Sequence, residues 1–316
     1  AAKAFGMIVN CGLDEAIPAS LGRAVTVGKF DGVHLGHQAL LRRLVELAKA
    51  DGLDTAVITF EDHPAAHLNP DDVPCTIMGP QQKVGCFEEL GIDFVLQLKF
   101  DAALAALTAT EFVQLVLVER LNVRLAVVGR DFRFGSGGAG DVALLTQLGE
   151  RFDFAVEVVD DLLVNEERAS STKLRELLDR GEVETVAKLL GRNHSTHGQV
   201  VHGRKIGRTI GFPTANLSRE SEGYLPLDGV YAGWLTANEV RYPAALSVGI
   251  NDTFEAVPRL LEAHVLDRDD LDLYDQVVNV EYVKFIRPSK KFDGLESLVT
   301  AINADIEQIR VALGIA

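Results

Sequence analysis

VTVGKFDGVHLGHQALLRRLVELA, residues 25–48, runs from a short apolar stretch through a glycine-containing turn into apolar side chains spaced three and four apart. Val25 to Gly28 reads as a buried strand, and Leu40, Leu41, Leu44, Val45 and Ala48 share one face of the helix that follows. The same alternation continues at TAVITF (55–60), DFVLQL (93–98), LAVVG (125–129) and FAVEVV (154–159), with helical patterns between the runs. Uninterrupted apolar runs between helices are the pattern of parallel strands buried on both faces, so this half reads as a doubly wound α/β domain. The last helical stretch, SSTKLRELLDRGEVETVAKLLG (170–191), opens on Ser170 and Ser171 and closes on Gly191, which suits the two caps of one helix. The domain boundary is placed behind it, giving domains 1–190 and 191–316.

From Gly198 the texture changes to short strands punctuated by glycine: HGQVVHG (197–203), GVYAGWL (229–235), ALSVGI (245–250) and VVNVEYVKFI (277–286). Closely spaced strands with turn residues between them predict a small antiparallel β-barrel. LESLVTAINADIEQIRVAL (295–313) returns to helical spacing and is expected across the barrel's outside. The fold class is therefore α/β plus β. A length of 316 residues agrees, since one domain averages roughly 150.

With 47% hydrophobic and 24% charged residues the chain is a packed globular protein rather than a disordered one. Its formal charge of -15 repels polyanions, which argues against nucleic acid as the main partner but leaves small phosphorylated ligands open. Cys11, Cys75 and Cys86 are too few and too scattered for a disulfide framework or a thiolate zinc site, so a reducing cytoplasm is expected. No run of about 18 apolar residues occurs that could span a bilayer, and no membrane role is expected. The oligomeric state stays open; a homo-oligomer is compatible with the sequence.

Three clusters in the first half carry chemistry. His34 and His37 stand three apart at a helix entrance with Gly36 between them, where helix amides and a missing side chain admit a phosphate. Imidazoles there can donate hydrogen bonds to oxygens that gain charge in a transition state. Capping, a surface role or metal ligation with an unseen third residue are the plainer readings of such a pair. VVGRDFRFGSGGAGD (127–141) places Asp131, Arg133 and four glycines on an expected mobile loop. SSTKLREL (170–177) places Ser171, Thr172 and Arg175 on the first turn of a helix. Together these could hold a triphosphate tail, although the last cluster alone reads as an N-cap.

In the second half, HGRKIGRTIGFPTANL (202–217) combines Gly203, Gly207 and Gly211 with three cations and the tetrapeptide Pro213, Thr214, Ala215, Asn216. Glycine-rich backbone can wrap phosphates, and the Thr214 hydroxyl and Asn216 amide oxygen are hard donors suited to magnesium. A basic hairpin with a proline turn is the plainer reading. LLEAHVLD (260–267) puts Glu262 and His264 on one face of a strand, so that a carboxylate base could project into the barrel mouth and accept a hydroxyl proton.

GKFDGVHLGHQ, TFEDHP, VVGRDFRFGSGGAGD and SSTKLREL, in this order, resemble the first module of bacterial bifunctional riboflavin kinase/FMN adenylyltransferases. GRKIGRTIGFPTANL, DGVYAGW, SVGINDTF, EAHVLD and DLYDQVVNVEYVKFIRP resemble the second. The resemblance covers residues from about 20 to 190 and 198 to 310. It implies an N-terminal nucleotidyltransferase fold binding ATP through Gly28, Phe30, Asp31, His34, Gly36, His37, Ser171, Thr172 and Arg175. It implies an FMN site near Phe60, His63, Pro64, Asp131 and Phe132. In the kinase module it implies ATP binding by Gly203, Gly207, Gly211, Pro213, Thr214 and Asn216, magnesium on Thr214 and Asn216, and Glu262 as base. Riboflavin, FMN, FAD and ATP become the expected substrates and products. Asp62, Asp252 and Asp275 depart from the proline, proline and glycine usual in the family. A relative of class I aminoacyl-tRNA synthetases and a flavin- or nucleotide-binding regulator with degenerate sites are the competing readings. The first lacks a KMSKS-like loop and leaves the barrel motifs unexplained.

Overall fold

The computed structural model describes residues 6–13, 21–60, 75–160, 162–164, 167–203, 207, 210–249 and 259–315. It falls into two compact units, residues 1–76 with 83–169 and residues 77–82 with 170–316.

In the first unit β1 (Ile8–Cys11), β2 (Arg23–Val27), β3 (Asp54–Phe60), β4 (Phe94–Leu98), β5 (Val123–Gly129) and β6 (Ala155–Val159) form one parallel sheet in the order β1-β4-β3-β2-β5-β6. Five of these are the apolar runs of the sequence. The sixth, β1, is IVNC at a sheet edge, largely exposed and too short to stand out as a pattern. The crossovers include α1 (Leu35–Asp51), α2 (Pro80–Glu89), α3 (Ala102–Ala106), α4 (Ala109–Phe112), which continues as a π-helix over Val113–Arg120, and α5 (Val142–Phe152). Phe112, Val116 and Leu148 from these helices pack on Val25, Ile58 and Leu96 of the sheet. A short hairpin, β7 (Leu163–Val164) and β8 (Glu167–Arg168), follows β6. The chain runs outward from β2 to β4, then returns to lay β5 on the other side of β2. In open α/β sheets the crevice at such a reversal, beyond the carboxyl ends of the strands, is where ligands bind. Here it is flanked by the residues after Val27 and after Gly129.

The second unit contains α6 (Ser171–Asp179), α7 (Val183–Leu190), β9 (His194–Val201), β10 (Ala215–Leu217), β11 (Gly229–Ala237), β12 (Val240–Gly249), β13 (Leu260–Val265), β14 (Val277–Pro288) and α8 (Leu295–Leu313). The six strands close into an antiparallel barrel in the order β10-β13-β12-β11-β14-β9. α8 spans the expected residues and lies on the barrel's outside, where Ile309 packs on Ala232 and Leu266. Arg287 donates to both oxygens of Asp305 at 2.7–3.0 Å and ties α8 to β14.

Residues 170–191 form two helices rather than the one expected. The break falls at Gly181, whose φ of 74° lies in the left-handed region, while Gly191 caps the second helix as its position suggested. Both helices pack with the second compact unit, α7 against β9 and β14.

Candidate functional site

The loop between β2 and α1 turns through left-handed backbone at Phe30 (φ 49°) and Val33 (φ 40°). A branched side chain rarely adopts this conformation, so the loop is held by its surroundings. Phe30 is buried, its ring edge-on to His37 at 5.3 Å and to Phe87 at 5.6 Å. Asp31 is also buried. A Cβ on Gly28 would stand 3.0 Å from the Phe30 ring, so the glycine there makes room for the phenylalanine.

His34 is the N-cap of α1, and its Nδ1 accepts the His37 backbone N–H at 3.3 Å. The capping reading is therefore correct for His34, and it has a chemical consequence. An imidazole accepting at Nδ1 carries its proton on Nε2 when neutral. The two rings stack at 3.7 Å between centroids and 17° between planes. A Cβ on Gly36 would press on the His34 ring at 3.2 Å, so Gly36 serves this stacking as well as any approaching phosphate. His37 Nδ1 is buried with no hydrogen-bond partner among the described residues. Burial foremost, then the neighbouring His34 and Arg168, push its pKa well below 6.5. His37 is thus a neutral imidazole at physiological pH.

Across the crevice, Asp131 accepts from Arg168 at 2.5 Å, and Phe132 stacks on Phe134 at 5.4 Å. The expected mobile loop is instead a turn pinned by a bridge between Phe134 and Gly140. Gly135, at φ 72°, would with a Cβ run into the Ala109 backbone at 2.5 Å, and Gly140 would meet the Phe134 ring at 2.8 Å. These glycines permit close packing. Phe60 ends β3 with its ring edge-on to Phe100 at 5.5 Å. His63 and Pro64, with the departures Asp62 and Asp252, lie outside the described residues.

In the second unit Ser170 caps α6 by accepting the Lys173 N–H at 3.2 Å; Ser171 and Thr172 lie in the helix's first turn, and Arg175, expected there, begins the second.

Glu262 and His264 stand on the barrel's outer wall rather than in its mouth. Leu261, Ala263 and Val265 are buried, so Glu262 and His264 face the other way. Ala245, directly opposite His264, packs into the apolar cluster beneath α8, which fixes that face as the outside. Asn216, Glu262 and Ser247 are aligned across β10, β13 and β12. His264 Nδ1 donates to the Pro213 carbonyl at 2.8 Å and Phe212 lies edge-on to the ring, which anchors the turn carrying Thr214. Asn216 Nδ2 donates to the Thr214 carbonyl and hydroxyl at 3.3 Å. A Cβ on Gly203 would strike the Asn216 amide at 2.6 Å, and one on Gly207 the Phe212 carbonyl at 2.3 Å. Gly211 needs its left-handed φ of 88°. A cavity of about 350 Å³ opens between Gly203, Thr214 and Asn216 on one side and Arg268, Asp270 and Tyr274 on the other.

Sequence reasoning had no role for His264 and missed Arg268 and Asp270, while Tyr274 entered only through the DLYDQVVNVEYVKFIRP motif. Asp275, beside Tyr274, has φ 60°, which explains why glycine would suit the position. Aspartate tolerates that region better than most residues, and the turn is kept by Asp275 N–H to the Val200 carbonyl at 2.9 Å.

The donor set suits magnesium. Among the described residues no three His, Cys, Asp or Glu gather as a metal cage. Thr214 and Asn216 offer neutral oxygens at the cavity wall, and the glycine at 203 leaves space around the Asn216 amide. Magnesium is commonly held by few protein oxygens together with substrate phosphates.

Two family models match the chain, FAD synthetase over residues 17–173 and riboflavin kinase over residues 190–313. A bifunctional riboflavin kinase/FMN adenylyltransferase from Haemophilus influenzae is 37% identical over 298 residues, covering 94% of this chain and 96% of that protein. The protein of the same description from Escherichia coli strain K12 is 37% identical over 285 residues, 90% of each chain. A crystal structure described as a macrolide-efflux protein from Streptococcus pneumoniae superposes with a TM-score of 0.85 at 33% identity, covering 97% of this chain and 99% of that one. No helix among the described residues is long and apolar enough to cross a membrane. The motif order, the parallel sheet joined to a closed barrel, and relatives matched over nearly their whole length agree: the chain belongs to the bifunctional riboflavin kinase/FMN adenylyltransferase family.

Proposed function

We propose that the family's two reactions are divided between the two sites described, with residues 1–190 serving adenylyl transfer and residues 191–316 phosphorylation. The enzyme phosphorylates riboflavin to FMN and joins FMN to the adenylyl group of ATP, giving FAD and pyrophosphate. The synthetase-relative and regulator readings fall with that result.

For adenylyl transfer, an FMN phosphate oxygen attacks the α-phosphorus of ATP and pyrophosphate leaves. The His34 cap satisfies the His37 N–H but leaves the Leu35 and Gly36 amides at the helix start, where no preceding helix carbonyl can serve as partner. These amides and the rings of His34 and His37 donate to phosphate oxygens as charge builds on them. Gly28, Phe30, Asp31 and Gly36 shape the loop. Ser171, Thr172 and Arg175 bind the outer phosphates, and Phe60, His63, Pro64, Asp131 and Phe132 receive the flavin. The stacked histidine pair at the sheet's reversal point, with its inner ring buried, is the observation that carries this reading.

For phosphorylation, Glu262 accepts the proton of the riboflavin hydroxyl as its oxygen takes the γ-phosphoryl group and ADP leaves. Gly203, Gly207, Gly211 and Pro213 shape the nucleotide loop beside Thr214 and Asn216. A magnesium ion held by Thr214 and Asn216 would neutralise phosphate charge. The enzyme works in the cytoplasm, in keeping with the odd number and wide spacing of Cys11, Cys75 and Cys86, and its acidic charge disfavours nucleic acid as a partner.

The test is a pair of assays on one preparation, riboflavin to FMN and FMN to FAD, with ATP and magnesium. His37→Ala should impair only the second and Glu262→Gln only the first. Joint loss in both variants would defeat the division.

A further inference from the structure

The adenylyl-transfer loops are braced from behind by one face of α2. Phe87 is fully buried and edge-on to Phe30, which is edge-on to His37. One helical turn earlier, on the same face, Lys83 is only 6% exposed and its Nζ donates to the Phe60 carbonyl at 3.2 Å. Lysine is rarely buried at all, because its ammonium must find partners inside. Here that ammonium donates to the carbonyl of Phe60, the last residue of β3.

We propose that Lys83 and Phe87 are positioning residues for adenylyl transfer, Lys83 setting the flavin side through Phe60 and Phe87 setting the phosphate side through Phe30 and His37. The proposal rests on the assignment of those two sides above. Neither residue touches substrate in this scheme. The Phe30 backbone is left-handed, a conformation that lasts only while packing holds it, and Gly28 gives that ring its place. Phe87 supplies a wall of that packing. Reacting groups displaced by about 1 Å can lose on the order of 10²-fold in rate, so a brace behind a loop is kinetically visible.

Steady-state kinetics of FAD formation, varying FMN and ATP separately and correcting for folded fraction by thermal unfolding, distinguish bracing from general stability. Lys83→Met should raise KM for FMN roughly tenfold and hold KM for ATP within about twofold, and Lys83→Arg should recover most of the loss because it keeps the donors. Phe87→Leu should lower kcat roughly tenfold with KM for FMN held within about twofold. Unchanged kinetics, equal effects on both substrates in both variants, or losses that follow folded fraction alone would overturn the proposal. His37→Ala measured alongside separates the two possible failures. FAD made at the parent rate by that variant overturns the site assignment itself. Its loss, with no split between Lys83→Met and Phe87→Leu, overturns the brace alone.

Discussion

In the α/β unit the proposed reacting groups come from one stretch, His34, Gly36 and His37, held by stacked rings and left-handed backbone. In the barrel they arrive from separate elements: Thr214 from the turn before β10, Asn216 from β10, Glu262 from β13, and the cavity's far wall from residues 268–274. The first site is a local motif stiffened by packing behind it. The second exists only when the barrel closes. A contiguous motif can be read from spacing, whereas a site assembled across strands depends on register, and a slip of one residue would turn Glu262 inward.

The sharpest way to break this comparison is Glu262→Gln, which keeps size and register but removes the proton acceptor. FMN production should fall about 10²–10⁴-fold while FAD synthesis from supplied FMN continues. Riboflavin binding measured on the same sample distinguishes lost chemistry from lost substrate. Near-parent FMN production would end the base role.

Next in size, His37→Ala should cost FAD formation roughly 10²-fold or more, the usual loss for one preorganised donor, and spare phosphorylation. Because His37 is held neutral, the parent's pH–rate profile should show no ionisation of this ring near 6.5. A rate that follows a His37 titration at that pH, by NMR of the labelled ring, would contradict a neutral donor.

The barrel's integrity can be probed through His194, fully enclosed, stacked on Tyr282 and donating from Nε2 to the Tyr224 carbonyl at 2.6 Å. Burial pulls its pKa down from 6.5 to about 4, outweighing that carbonyl bond. Between these values the unfolded chain takes up a proton that the folded barrel refuses. Stability therefore rises with pH across the window and is lost as pH falls through it, by about 3 kcal/mol in all. Urea unfolding of parent and His194→Phe at pH 7 and pH 4 should show the variant's pH dependence smaller by that order. Equal slopes would mean the histidine is already charged in the fold.

Asp275→Gly should have the smallest effect. The position has φ 60° beside the cavity proposed for phosphorylation, so glycine relieves strain but adds freedom to the unfolded chain, and stability should move by less than about 1 kcal/mol. Riboflavin phosphorylation should be unchanged. A large fall in activity would show that the carboxylate itself takes part.

Residue order by itself determined the alternation of five sheet strands with helices, the change to a barrel in the second half, the span of α8 and the two motif clusters. Each of these is written in hydrophobic period or in cap and turn chemistry, which act over a few neighbouring residues. Only the tertiary structure decided that Phe30 is buried between His37 and Phe87, that Gly36 makes room for the His34 ring, and that Gly135 and Gly140 pack closely in a pinned turn. It alone broke the 170–191 helix at Gly181, put Glu262 on the outer wall in line with Asn216, and brought residues 268–274 to the cavity. These features depend on which atoms approach through space from distant parts of the chain. Spacing along a sequence does not record that approach; the closing of sheet and barrel does.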